Sequence, residues 1–168
     1  NTDLKLSIIY FGMERKMFMY TSKYISRLIF QKEGLNIPFK KILGRGDDKL
    51  SNIEHKMVLK YMDVLKDWQK DETLICFENS KNPTGISKFV EEFAKKHGEI
   101  IPRKDGALES KSYKPNHPNH LVLLITDHVG LLKSERVDGV KKQNIDKFSD
   151  TMRDARDLYG FSPIVVQQ

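Results

Sequence analysis

Hydrophobic positions fall into two alternating rhythms along the chain. Leu6-Ser7-Ile8-Ile9-Tyr10-Phe11 is a nearly continuous apolar run rich in β-branched and aromatic residues, closed by Gly12, and it predicts a strand buried on both faces. From Lys16 to Gln31 the period changes. Met17, Tyr20, Tyr24 and Leu28, with Ile25 and Ile29 beside them, recur at three and four residues and predict an amphipathic helix. Gly34, Pro38 and the Gly44-Arg45-Gly46-Asp47-Asp48 cluster interrupt the pattern, and a second helical period follows in Ile53, Met57, Tyr61, Leu65 and Trp68. Thr73 to Phe77 predicts another strand, and after a polar turn Ile86, Phe89, Val90 and Phe93 form a further helical stripe.

Gly98 to His120 contains Pro102, Gly106, Pro115 and Pro118 among many charges and shows no period, so a surface loop or insertion is expected there. Leu121-Val122-Leu123-Leu124-Ile125-Thr126 carries no charge and ends at Asp127, as a central strand buried on both faces would. Ile145, Phe148, Met152, Ala155 and Leu158 then keep a helical spacing that Gly160 stops, and Pro163-Ile164-Val165-Val166 begins a last strand. Alternating apolar strands and amphipathic helices predict an α/β fold, a mostly parallel sheet with helices on both faces. At 168 residues the expectation is one domain spanning 1–168.

Charge changes the picture modestly. Twenty-nine Lys and Arg against 23 Asp and Glu leave a net +6, which suits a polyanionic partner and equally suits ordinary solubility. No apolar run approaches a bilayer-spanning length of about 18 residues, so no membrane role is expected. The one cysteine, Cys76, lies inside an apolar run, which excludes a disulfide framework or a multi-cysteine zinc site and fits a reducing, cytoplasmic setting.

In a parallel sheet with helical crossovers, ligands bind beyond the carboxyl ends of the strands. Three places qualify: Glu14 just after the first strand, Asp127 directly after the uncharged strand, and Gln167-Gln168 after the last. A carboxylate at the end of a buried strand is what a nucleotide hydrolase uses to hold Mg²⁺ through its water shell. A second carboxylate can orient or deprotonate a water for in-line attack on a γ-phosphate, and an amide can report on that phosphate. The plainer alternative is that each merely caps a strand or opens a turn.

These residues also carry a resemblance. Ile8-Ile9-Tyr10-Phe11-Gly12-Met13-Glu14-Arg15 resembles the strand and catalytic-glutamate motif of DnaB-type replicative helicases, where an apolar strand runs into Ser-Leu-Glu-Met; only the glutamate of that tetrad is retained. Leu121 to Leu132 resembles the family's Walker B strand ending in Asp-Tyr-Leu-x-Leu-Met, with His128 at the tyrosine. Gln143 to Leu158 is similar to the helix that follows, and Val165-Val166-Gln167-Gln168 to a strand ending in Ser-Gln, with Gln167 at the serine. Lys41 to Gly46 and Leu74 to Glu78 fit the connecting segments.

The resemblance implies a RecA-like P-loop NTPase core using ATP and Mg²⁺. In it Glu14 is catalytic, Asp127 holds the metal through water, and Gln168 with Gln167 senses the nucleotide state. It further implies a homo-hexamer moving on single-stranded DNA, with a primase or loader as partner. Lys133, Arg136, Lys141 and Lys142, in a segment with four basic and two acidic side chains, would reach the DNA backbone if they are not simply solvated. One departure stands out: no Gly-x-x-x-x-Gly-Lys-[Ser/Thr] phosphate loop occurs in the 168 residues, so the segment alone is expected to be inactive, either as a fragment or as a degenerate relative. The alternatives are another RecA-like ATPase, of the recombinase or clock type, and a non-catalytic nucleic-acid-binding or assembly module. His117 and His120, three apart beside Pro118, are expected to be surface residues rather than metal ligands.

Overall fold

Eight residues of β1, Lys5–Gly12, begin the order of elements in the computed structural model, which describes residues 3–14, 16–45, 48–78, 82–105, 108–135 and 140–167, with backbone alone at 103–105 and 108–110. After β1 come α1 (Met17–Glu33), α2 (Phe39–Ile42), α3 (Asn52–Lys70), β2 (Leu74–Phe77), α4 (Pro83–His97), β3 (Gly98–Asp105), β4 (Leu108–Pro115), β5 (His120–Asp127), α5 (Lys141–Asp157) and β6 (Ser162–Val166). The expected strands and helices all form, within a few residues of their predicted limits. The chain divides into two compact units, one of residues 1–14 with 75–168 and one of residues 15–74.

The first unit is built on a four-stranded sheet in the order β2-β1-β5-β6, in which β1 pairs parallel with β5 and β5 parallel with β6. Period-two alternation divides the two middle strands. Ser7, Ile9 and Phe11 of β1 and Val122, Leu124 and Thr126 of β5 are buried on one face, whereas Ile8, Tyr10, Leu123 and Ile125 on the other are only half-buried. The buried face meets Ile86, Val90, Phe93 and Ala94 of α4 and Phe148, Met152 and Ala155 of α5 in one apolar core, with Phe161 closing it. Phe11 stacks on Phe77 at 5.1 Å between ring centres, and Phe89 packs edge-on to both. β6 is an edge of the described sheet, and Ile164, Val165 and Val166 are exposed there.

The 98–120 stretch holds structure that its lack of period conceals. β3 and β4 form a separate two-stranded antiparallel sheet, Gly98 opposite Pro115 and Ile100 opposite Tyr113. Tyr113 ties it to the core: its ring meets Tyr159 and Phe161, and its hydroxyl donates to the Ala94 carbonyl. Gly98, where α4 passes into β3, must be small, since a Cβ there would lie 2.5 Å from the Lys114 carbonyl oxygen.

The second unit is helical. Ile25, Leu28 and Ile29 of α1, Ile37, and Val58, Tyr61 and Leu65 of α3 make its core. Ser51 starts α3 with a capping box, its hydroxyl accepting from the Glu54 amide while the Glu54 carboxylate accepts from the Ser51 amide. Gly34 ends α1 at φ 70°, a conformation that favours glycine.

Candidate functional site

Parallel register aligns the strand ends. Gly12 of β1 lies opposite Asp127 of β5, and Asp127 opposite Val166 of β6, so three adjacent strands finish level. Glu14 stands two residues beyond Gly12 and is exposed, and Gln167 stands one residue beyond Val166 and is exposed as well. Glu14, Asp127 and Gln167, far apart in sequence, therefore share one crest at the carboxyl edge of the sheet, where a parallel α/β fold binds its ligands. Gln168 and Arg136 lie outside the described residues.

Asp127 is not a bare carboxylate. The Tyr10 hydroxyl donates to its Oδ2 at 2.9 Å. The register explains the reach: Tyr10 sits opposite Ile125, and Asp127 is the diagonal neighbour two residues on, on the same face. The tyrosine ring leans over Gly12, where a Cβ would come within 2.8 Å of Tyr10 Cε1. On the other face, Thr126 is fully buried and its hydroxyl has no hydrogen-bond partner. Immediately after Asp127 the chain turns sharply, with His128 at φ 67° and ψ 74° in the left-handed region, where a non-glycine residue is unusual. Its imidazole folds back toward Gly130, and the buried Nδ1 is unpaired. A one-turn 3₁₀ helix, Val129–Leu131, follows and drops Val129 into the core.

The segment after that turn is pinned in a way its charges do not announce. Glu135 lies against the start of α4, its Oε1 accepting from the Thr84 amide at 2.7 Å and from the Thr84 hydroxyl. Its Oε2 meets Lys147 Nζ of α5 at 3.0 Å. Hydrogen bonds from the Thr84 hydroxyl and then its amide, followed by Lys147, pull the Glu135 carboxyl down to about 2, well below the usual carboxylate range. Asn144 of α5 also donates to the Ser134 hydroxyl. Lys133, Lys141 and Lys142 are exposed on either side of this anchor.

A cleft of about 300 Å³ runs beside β6, lined by Val129, Phe148, Met152, Arg153, Arg156 and Gln167. Elsewhere, Ser7 and His120 are joined at 3.0 Å and His117 meets Asp3 at 3.2 Å. Among the described residues no group of three or more His, Cys, Asp or Glu could hold a metal by itself. The Cys76 thiol is pushed up to about 11, by burial first and by Glu78 second, so it is no nucleophile near neutral pH. Among the described residues no helix is long and apolar enough to cross a membrane.

The strand ends counted in the sequence bring Glu14, Asp127 and Gln167 to one edge of the sheet. Sequence reasoning missed Tyr10, Gly12, Thr84 and Glu135. Tyr10 reads as one more apolar strand residue, and Glu135 as one of two acids in a basic segment. Their roles depend on cross-strand register and on the approach of α4, neither of which a linear pattern contains.

Comparison with solved structures agrees with this architecture. The chain is similar to a solved ATPase domain, with a TM-score of 0.58 and 15% identity over 96% of this chain and 47% of that one. It is also similar to a DnaB-like replicative helicase, solved in a study of its interactions with primase, with a TM-score of 0.56 and 16% identity over 98% of this chain and 32% of that one. The chain thus spans less than half the length of either. No protein family and no curated protein matches it by sequence. At these identities the likeness concerns fold alone: the chain shares with these two solved structures an α/β architecture built on a parallel sheet flanked by helices.

Proposed function

We propose that this fold serves as part of the motor of a replicative DNA helicase, coupling Mg²⁺-dependent ATP hydrolysis to movement along single-stranded DNA. The observation that carries the reading is the level crest of Gly12, Asp127 and Val166, which brings Glu14, Asp127 and Gln167 to one edge of a sheet with the helicase ATPase fold.

The donor chemistry fits Mg²⁺. That ion takes hard oxygen ligands, keeps several waters, and is commonly held by one or two carboxylates together with nucleotide phosphates rather than by a closed protein cage. Asp127, a single carboxylate at a strand end among described residues that hold no self-sufficient metal cluster, suits that division. When bound, the ion would neutralise charge developing on the β- and γ-phosphate oxygens. Asp127 would hold the metal through its water shell, and Glu14, just beyond β1, would orient the attacking water and accept its proton. Gln167, one residue beyond β6, and Gln168, the next in sequence, would pair with the γ-phosphate and pass its loss to the rest of the motor. Phosphate-loop groups are assigned to no residue here, since the 168 residues contain no such motif.

Lys133, Arg136, Lys141 and Lys142 supply backbone contacts to single-stranded DNA, sequence-independent and salt-sensitive. A homo-hexamer and a primase or loader as partner belong to the same reading.

The test is Glu14→Gln and Asp127→Asn in the full-length protein. Glu14→Gln leaves nucleotide affinity near wild type and slows turnover by orders of magnitude; Asp127→Asn weakens the Mg²⁺ dependence of binding and turnover. Wild-type turnover in both variants would remove the crest from catalysis.

A further inference from the structure

We propose that Tyr10 is a positioning residue for the metal-holding carboxylate, fixing the Asp127 side chain through its hydroxyl. The inference rests on the reading of the crest as the nucleotide site and adds a residue to it.

Three observations converge. The Tyr10 hydroxyl donates to Asp127 Oδ2 at 2.9 Å, a good distance for an O–H donor to a carboxylate. Parallel register puts the two on one face of adjacent strands, so the contact is set by the sheet rather than by a mobile loop. Gly12 is what lets the ring lie where it does, because a Cβ there would stand 2.8 Å from Tyr10 Cε1 and 3.5 Å from Cδ1. Gly12 has no positive φ, so the demand for glycine is one of space.

The chemistry of the donor matters. A lysine or arginine would also hold Asp127, but as a cation it would compete with Mg²⁺ for the same charge. A phenol commits one lone pair of the carboxylate without cancelling its negative charge. It fixes the side-chain torsion that a strand-end aspartate otherwise leaves loose. Hydrogen-bond partners that orient a direct ligand contribute about 10–100-fold to metal affinity, and with a water between Asp127 and the metal the lower end of that range is expected for Tyr10.

The test measures Mn²⁺, as a paramagnetic substitute for Mg²⁺, binding to the full-length protein with ADP by electron paramagnetic resonance. Asp127→Asn weakens ADP-dependent binding more than any of the variants at Tyr10 or Gly12. Tyr10→Phe, which keeps the ring and so the packing, weakens it about 10-fold. Gly12→Ala keeps the hydroxyl, displaces the ring and weakens binding to a similar degree. The Tyr10→Phe/Gly12→Ala pair is no weaker than the worse single variant, because both act through one hydrogen bond. A spectroscopic readout separates positioning from packing: in wild type the ¹³Cζ resonance of Tyr10 shifts when Mg²⁺ joins bound ADP, and in Asp127→Asn it does not. Wild-type Mn²⁺ affinity in Tyr10→Phe with loss in Asp127→Asn would overturn the role of Tyr10 and leave the site reading standing. Wild-type affinity in both would overturn the two together.

Discussion

Replacing Thr126 by valine should stabilise the sheet-containing unit. Thr126 is fully buried on the core face of β5, flanked in register by Phe11 of β1 and Val165 of β6, and its hydroxyl has no partner. Burying an unpaired hydroxyl costs about 1–3 kcal/mol on protein-derived scales. Valine keeps the branched shape and exchanges the oxygen for a methyl, which adds about 0.8 kcal/mol of favourable transfer. The methyl is slightly larger than the hydroxyl, and overpacking offsets part of the gain. The expected net is about 1–2 kcal/mol of stabilisation, or roughly 3–6 °C for a chain of this size. Amide hydrogen exchange of Leu124 and Ile125 reads it locally: exchange through global opening should slow by a factor of roughly 5–30. Thr126→Ser, which keeps the hydroxyl and loses the methyl, should speed the same amides. Faster exchange in Thr126→Val than in wild type would overturn this expectation, because it would mean that the hydroxyl makes a stabilising bond.

Gly98→Ala should disrupt the junction of α4 and β3 by about 2 kcal/mol or more, since the new methyl meets a backbone oxygen that cannot swing away; unchanged exchange protection at Ile100 and Tyr113 would contradict this. Acid should destabilise the protein between about pH 4.5 and 2. Glu54 is held down to about 2, by Lys41 first and the Ser51 amide second, and Glu135 to about 2 by Thr84 and Lys147, so protons bind the unfolded chain first and the stability both contribute is lost as pH falls. Glu54→Gln together with Glu135→Gln should flatten that fall, and an equally steep curve in the double variant would refute it. Neutralising Lys133, Lys141 and Lys142 together should lower single-stranded DNA affinity and reduce the salt slope by about 2, because each phosphate that a lysine neutralises adds about 0.7 to it; an unchanged slope would take the segment out of the DNA path.

Much of the fold is legible in the sequence because strand and helix periods here are clean. The uncharged run before Asp127 becomes the strand between β1 and β6, and each helical stripe becomes a helix. The β3–β4 hairpin is not legible: Pro102, the charges and the lysine-bearing β4 hide its alternation, and Tyr113 supplies its main anchor on the core. Strand-end arithmetic finds Glu14, Asp127 and Gln167, since the end of an apolar run can be counted. It cannot find Tyr10, whose hydroxyl matters only once β1 and β5 are in register, or Glu135, whose partner Thr84 is 51 residues away. The left-handed turn at His128 is equally invisible, because histidine gives no signal for a positive φ.

Whether the crest is a nucleotide site is decided by a structure of the full-length protein with Mg²⁺ and a non-hydrolysable ATP analogue. The γ-phosphate should lie at the crest beyond β1 and β5, with the metal about 4 Å from the Asp127 carboxylate, one water between them, and Glu14 facing the γ-phosphate. A nucleotide bound away from this edge of the sheet, with Glu14 and Asp127 both remote from its phosphates, would contradict the proposed motor.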